Sequence, residues 1–250
     1  TLSMSEESAV ASGLPLIIAS AIIAIALGLG LYQVGNGFSS RSGNGITVTG
    51  SAKVQATADK AVWPLNAEQL APTQSAAITK VNAAVDSVTR YLTDGGIPMS
   101  EIEYSSASAY PQEEYVNGSS TGRIISYRAS RTITVRTTDV QRVAKLSQGI
   151  GTLLATGVGV SNYGPQYYVS KLSELRPELL KQAMKDAQVR ATAIVSATGG
   201  KVGAVMSVRS GPFQVTSPDS TDTSAGGFYD TTTIEKTITS TVTVMFNVKK

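Results

Sequence analysis

Residues 238–248 read ITSTVTVMFNV, and in this stretch apolar side chains alternate with polar ones. Alternation with a period of two predicts a β-strand with one buried and one solvated face, and we expect this strand at residues 233–248. Residues 46–58, ITVTGSAKVQATA, show a partial version of the same pattern. Residues 61–70 are predicted to be the antiparallel partner, with a turn near Asp59. The domain is therefore expected to begin and end in a sheet.

Three amphipathic helices are predicted between these strands. The first runs from about residue 73 to the glycine pair at 95–96, and its apolar residues recur at steps of three and four: Ile78, Val81, Val85, Val88 and Leu92. Asp139 is the expected N-cap of a second helix that ends near Leu154. The third ends at the glycine pair at 199–200, and one of its faces carries Leu175, Leu179, Ala183, Ala187, Arg190 and Ile194.

Further strands are predicted in the middle of the chain. Residues 102–115 and 123–137 flank a polar tip at 117–122 and are typical of a long β-hairpin. Residues 158–169 and 204–215 are two more expected strands, and a polar loop follows at 217–230. The predicted fold class is α+β, a mostly antiparallel sheet with packed amphipathic helices over residues 46–250, preceded by one transmembrane helix.

The N-terminal part of the chain predicts a membrane anchor. Residues 14–32 carry no charge, and as a helix they would span about 28 Å, which matches the hydrocarbon core of a bilayer. We expect a tail at residues 1–12, an anchor helix at 13–34 and a Gly/Ser tether at 35–45. Two alternatives are a buried core helix, which normally shows a polar stripe, and a cleaved signal peptide, which needs a basic start and a small-residue cleavage site.

Two features bear on how the anchor would sit and pair. Ser20, Ala24 and Gly28 form a small-xxx-small ridge, the spacing that lets two membrane helices approach closely. The acidic pair at residues 6–7 precedes the anchor and Arg41 follows it. By the positive-inside rule this single arginine weakly favours a cytoplasmic domain.

Composition excludes most familiar active sites. The chain has no histidine and no cysteine, so general acid–base work near neutrality, thiol chemistry and the usual zinc sites lose their main residues. The G-x-S-x-G match at 118–122 would need a histidine base and a strand-to-helix turn, whereas we expect it at a hairpin tip. The 21 Lys and Arg are scattered among 18 Asp and Glu, which disfavours nucleic-acid binding. We therefore predict no catalytic residues, no cofactor and no metal site.

Several segments in a fixed order resemble the SIMPL-domain family, whose exported bacterial members include periplasmic immunogenic proteins. They are ITVTGSAKVQATADKA from residue 46, the helix TQSAAITKVNAAVDSVTRYLTDGG, the segment YRASRTITVRTTD, and ELLKQAMKDAQVRATAIVSATGGKVGAV. Ser126 and Val202 stand where the family tends to have Gly and Leu. The resemblance implies an α+β fold, a domain on the extracytoplasmic side of the membrane and, for some relatives, large ring-shaped oligomers. It implies no agreed enzymatic activity.

These observations favour a membrane-anchored, self-associating scaffold or adaptor that could also contact other envelope proteins. Tyrosines are common at protein interfaces, and the expected interface residues are Tyr110, Tyr115, Tyr127, Tyr163 and Tyr167. One alternative is an accessory subunit of a larger membrane complex. Another is a ligand-binding or enzymatic domain whose site has no sequence signature.

Overall fold

The computed structural model describes residues 45–249. The predicted tail and anchor, and nearly all of the tether, lie outside the described residues. Among residues 45–249, no helix is both long enough and apolar enough to cross a bilayer.

The described chain folds as an α+β domain with mainly antiparallel pairing, which confirms the predicted class. Its helices are α1 (Gln74–Asp94), α2 (Val140–Gly149), α3 (Gly151–Leu154) and α4 (Leu172–Ser196), and a 3-10 turn spans Met99–Glu101. Its strands are β1 (Gly45–Thr57), β2 (Lys60–Ala71), β3 (Ile102–Tyr104), β4 (Ser108–Val116), β5 (Ser119–Thr137), β6 (Val160–Asn162), β7 (Gln166–Tyr168), β8 (Lys201–Ser210), β9 (Gln214–Thr216), β10 (Phe228–Tyr229) and β11 (Glu235–Lys249).

One sheet is centred on β2 and β5. These strands pair antiparallel from Ala61↔Thr137 to Ala71↔Tyr127, β3 and β4 pair with β5, and β6 and β7 pair with β2. The side of this sheet that carries Ala61, Trp63 and Leu65 is fully buried, together with Val81 and Val88 of α1. Alternate residues of a strand share a face, so β2 presents one continuous apolar face to the helix.

The second sheet has the order β1-β11-β9-β10, and β8 pairs with β11. Its pairing of β9 with β11 is antiparallel and that of β9 with β10 is parallel. Helix α4 approaches β1 closely at Gly50, and the backbone N–H of Ser51 donates to Asp186 at 2.8 Å.

The described residues divide into two compact units. The larger comprises residues 49–188 and 209–243, and the smaller comprises 45–48, 189–208 and 244–249. Buried apolar residues occur in each: the helix-covered sheet described above belongs to the larger unit, while Ala191, Val195, Val244 and Phe246 are buried residues of the smaller one.

The predicted helices and strands are mostly present, but several predicted elements are each divided into two shorter ones. Helix 139–154 divides at Ile150 into α2 and α3, and strand 158–169 divides into β6 and β7. The predicted strand 204–215 is also divided, because β8 ends at Ser210 and β9 begins at Gln214. Asp139 is the N-cap of α2, as expected, and accepts from the N–H of Arg142. The N-cap of α1 is Thr73, which accepts from the N–H of Ala76.

Gly50 provides a stability test of the approach between α4 and β1. A Cβ placed there would lie 2.1 Å from the carbonyl oxygen of Ala183 and 2.4 Å from the nitrogen of Ala187. Because both neighbours are backbone atoms, we expect Gly50→Ala to lower the free energy of unfolding by about 3 kcal/mol or more. Urea unfolding followed by circular dichroism measures this loss.

Gly151→Ala is the matched control, because no atom lies within 4 Å of its added Cβ and alanine is favoured in a helix. We expect it to leave stability unchanged or raise it slightly. Equal stability of the two variants would contradict the proposed close contact.

Candidate interaction surface

A two-stranded arm extends from the first sheet. Pairing with β2 stops at Tyr127, and from there to the turn β5 pairs only with β4 among the described residues. We call residues 110–126 the hairpin arm. Its strands are open at both edges within the described part of the chain, so it presents unpaired backbone groups of the kind that can add a further strand.

The tip of the arm is a two-residue turn. Asn117 has φ 48° and Gly118 has φ 82°, the left-handed pair that a type I′ hairpin turn requires. The expected tip at 117–122 was therefore too long, because residues 119–122 belong to β5. Asn-Gly is the usual sequence of such a turn, so this signal was present in the chain.

Polar pairs across the strands support the arm. The Nε of Arg123 donates to Glu114 at 2.9 Å, and Ser120 donates to Glu113. The hydrogen bond from Arg123 lowers the pKa of Glu114, because it stabilises the charged carboxylate. Glu113 and Glu114 thus form solvent-exposed contacts with other residues of the same hairpin.

Large apolar side chains are exposed along this arm. They are Tyr110, Tyr115, Val116, Ile124 and Ile125, and Tyr115 is 68% exposed. Consecutive residues of a strand point to opposite faces, so both faces of the arm carry exposed apolar side chains. A hairpin standing alone in water is marginally stable at best. Tyr110 and Tyr115 are thus exposed, and their role in an interface stays a prediction.

The other three tyrosines predicted at an interface differ in their exposure to solvent. Tyr163 is 83% exposed in the loop between β6 and β7, away from the arm in sequence. Tyr127 is half-buried against the hydrophobic core. Tyr167 is 6% exposed and belongs to that core, so its assignment to a surface is corrected: β7 pairs with β2 and turns this ring inward. The expected helix-packing residues Ser20, Ala24 and Gly28 lie outside the described residues.

A buried ion pair was missed from the sequence. The Nζ of Lys236 is fully buried and donates to the carboxylate of Asp230 at 2.8 Å and to its carbonyl oxygen at 2.6 Å. Thr232 and Thr233 also donate to that carboxylate. Asp230, expected at the end of a polar loop, lies between β10 and β11, and these hydrogen bonds fix it there. The signal was available, because Lys236 shares the strand face of Ile238 and Val242, which are buried.

These hydrogen bonds set the charge state of Asp230. Burial alone would raise its pKa, but the hydrogen bonds from Lys236, Thr232 and Thr233 outweigh it and hold the pKa far below the usual range. The pKa of Asp59 is also lowered. Ser170 donates to its carboxylate from both N and Oγ, and these hydrogen bonds outweigh the effect of burial. Both carboxylates fix loops through these hydrogen bonds.

The G-x-S-x-G match at residues 118–122 does not form a nucleophile elbow. The segment 118–122 lies at the turn and on β5, without the strand-to-helix turn of a nucleophile elbow. Among residues 45–249, no three acidic side chains come together in a way that could hold a metal ion. The hairpin arm is therefore a candidate interface. The Lys236–Asp230 ion pair is a structural contact.

One protein-family model matches most of the described chain. The family model described as "SIMPL: Protein of unknown function (DUF541)" matches residues 46–246, and it is not a model of a known enzyme family. No curated protein matches the chain.

Two solved structures show a weak likeness. Amidases of the hydantoinase/carbamoylase family from Burkholderia vietnamiensis and Burkholderia multivorans are 17% and 18% identical, with TM-scores of 0.19 and 0.20. The matches cover 65% and 56% of this chain, and it spans only 36% and 35% of those proteins. TM-scores at this level carry no information about fold or activity.

The buried pair predicts a dependence of stability on pH. Because the folded pKa of Asp230 lies below its unfolded value, its contribution is complete above about pH 4 and is lost as the pH falls further. We expect Asp230→Asn to cost about 3–5 kcal/mol near neutrality, since it leaves the buried ammonium without its counter-charge. The variant should also show a smaller decline in stability below pH 4, measured by urea unfolding at a series of pH values.

Glu235→Gln is the control for this experiment. Glu235 is exposed and accepts a hydrogen bond from Thr57 at 3.0 Å, so we expect a change within about 0.5 kcal/mol. An Asp230→Asn protein as stable as the control near neutrality would contradict the role given to the pair.

Proposed function

Because this chain belongs to the SIMPL family of proteins of unknown function, we propose that it is a non-enzymatic, self-associating scaffold or adaptor of the cell envelope. In this proposal the apolar segment at residues 13–34 holds the chain in the membrane, and the folded domain lies on the extracytoplasmic side. The observation that carries it is the hairpin arm, whose exposed tyrosines and aliphatic residues suit a protein interface better than contact with water.

The arm could be covered in two ways. A second copy could add a strand at an open edge or pack on Tyr115 and its neighbours. Contact between the same surface of two copies closes a two-fold dimer, whereas a larger closed ring needs the arm of each chain to bind a different surface of the next copy. The ridge at Ser20, Ala24 and Gly28 would add a helix contact within the bilayer, made effective because the joined domains keep the anchors close together.

The alternative partner is a different envelope protein, which would make the chain an accessory subunit. The same apolar surface would serve that role. The two arrangements differ in whether the isolated chain associates with itself.

Self-association gives the first test. We expect light scattering on the detergent-solubilised full chain to give a mass several times the 26.0 kDa of one chain. Tyr115→Asp should reduce this to the monomer mass, because an interface would bury an unpaired charge. Its circular dichroism should remain that of the wild type, since Tyr115 is exposed in the single chain.

Met99→Asp is the matched control, because Met99 is an exposed apolar residue outside the arm. It should leave the assembly intact. A wild-type chain that stays monomeric at its highest soluble concentration would overturn self-association and favour the accessory-subunit role. Dissociation by both variants alike would show that the arm is not the specific contact.

Membrane attachment gives the second test. We expect a chain that begins at Gly45 to leave the membrane fraction and to keep the secondary structure of the domain, because the elements described begin there. In intact cells stripped of any outer barrier, added protease should digest the domain. Protection of the domain from that protease would place it in the cytoplasm, the orientation that Arg41 alone favours.

A further inference from the structure

A cavity of about 450 Å³ opens beside the start of α4 and the end of the β9–β10 connection. Its lining includes Arg176 and three aromatic rings, those of Phe213, Phe228 and Tyr229. Arg176 is the only charged residue among the described residues that line it, so the cavity carries one positive charge and no carboxylate. Cavities of this size accommodate small organic molecules.

The guanidinium of Arg176 is already oriented. Its Cζ lies 5.2 Å from the centroid of the Phe213 ring, which is within the range of a cation–π contact. A guanidinium carries five N–H donors in a planar fork, the geometry that binds a planar anion in two-point fashion. In the described part of the chain, no carboxylate forms an ion pair with Arg176.

The aromatic wall is partly fixed and partly accessible. The hydroxyl of Tyr229 accepts the backbone N–H of Val169 at 2.9 Å, and its ring lies 5.9 Å from that of Tyr168. Phe228, next in the chain, is 38% exposed. A flat apolar body could therefore rest on Phe228 and reach a wall that is already held in place.

We propose that this cavity binds a small aromatic carboxylate, with the carboxylate on Arg176 and the ring among the three aromatic side chains. The combination selects for both parts of such a ligand. A simple anion would gain only a partly solvated charge contact, while a neutral aromatic compound would leave the guanidinium without an acceptor. A second cavity of about 520 Å³, beside Lys53, has no aromatic side chain among its lining residues and is less suited to this class.

The proposal is independent of self-association and is tested by binding. The full chain in detergent is titrated with 2-naphthoate, and binding is followed by calorimetry. The neutral 2-naphthamide and the non-aromatic cyclohexanecarboxylate serve as probes that each lack one half of the ligand. We expect 2-naphthoate to bind at least tenfold more tightly than either.

Variants locate the site. Arg176→Gln should weaken 2-naphthoate binding about tenfold or more, the effect of a lost charge-assisted hydrogen bond, and should leave 2-naphthamide unaffected. Phe213→Leu should weaken both. Lys181→Gln removes an exposed cation of the same helix that does not line the cavity, and it should bind as the wild type does.

Two results would overturn the proposal. One is equal affinity for 2-naphthoate and 2-naphthamide. The other is naphthoate binding that Arg176→Gln and Lys181→Gln weaken to the same degree, which would indicate a general effect of surface charge. Because both variants change exposed side chains of one helix, circular dichroism should show each of them folded.

Discussion

Burial of one face of β2 is the constraint on which the larger unit depends. Trp63 and Leu65 are fully buried on this face, and burying a large apolar side chain contributes about 1.5–3 kcal/mol. The buried polar atom of Trp63 has a hydrogen-bond partner, because its Nε1 donates to Asn162 at 2.8 Å. Strand β2 also accommodates a proline: β7 pairs with residues 60–62 and β6 with 65–67, so Pro64 falls between them, where its missing N–H leaves no bond unmade.

The hairpin arm is the part of the same sheet that this burial does not reach. As far as Tyr127, β5 is held by β2 and the core behind it. Beyond that residue, β4 and β5 pair only with each other among residues 45–249, and the two-residue turn at 117–118 joins them. The exposed apolar residues of the arm are therefore left uncovered by the rest of the described chain.

Much of this fold follows from periodicity, and the exceptions have physical reasons. Strands β1, β2 and β11 and helix α1 have long regular patterns, so their positions were predicted within a few residues. Strand β7 is only three residues long, and so short a run cannot show which face is buried, so Tyr167 was assigned to the surface.

The candidate sites were foreseen only in part. Tyr115 was one of five tyrosines predicted at an interface, and it is exposed, while its part in an interface stays a prediction. The cavity at Arg176 could not be foreseen, because it brings together residues of α4 and of the connection near residue 213 that are distant in sequence. Lys236 was missed since lysine is rarely buried, although the parity of its strand position indicated burial.

Asp230 of the buried ion pair directly follows Tyr229, which lines the cavity. The ion pair therefore also bears on the structure of the cavity. Asp230 is fixed by Lys236, and its backbone N–H donates to the carbonyl of Val215 at 2.8 Å. Tyr229 and Val215, which both line the cavity, are thus held by a charged contact that lies outside it. A binding site whose walls are held before the ligand arrives loses less conformational entropy on binding. An ion pair that adds little net stability compared with apolar packing can still have a role, because it fixes the position of the aromatic wall.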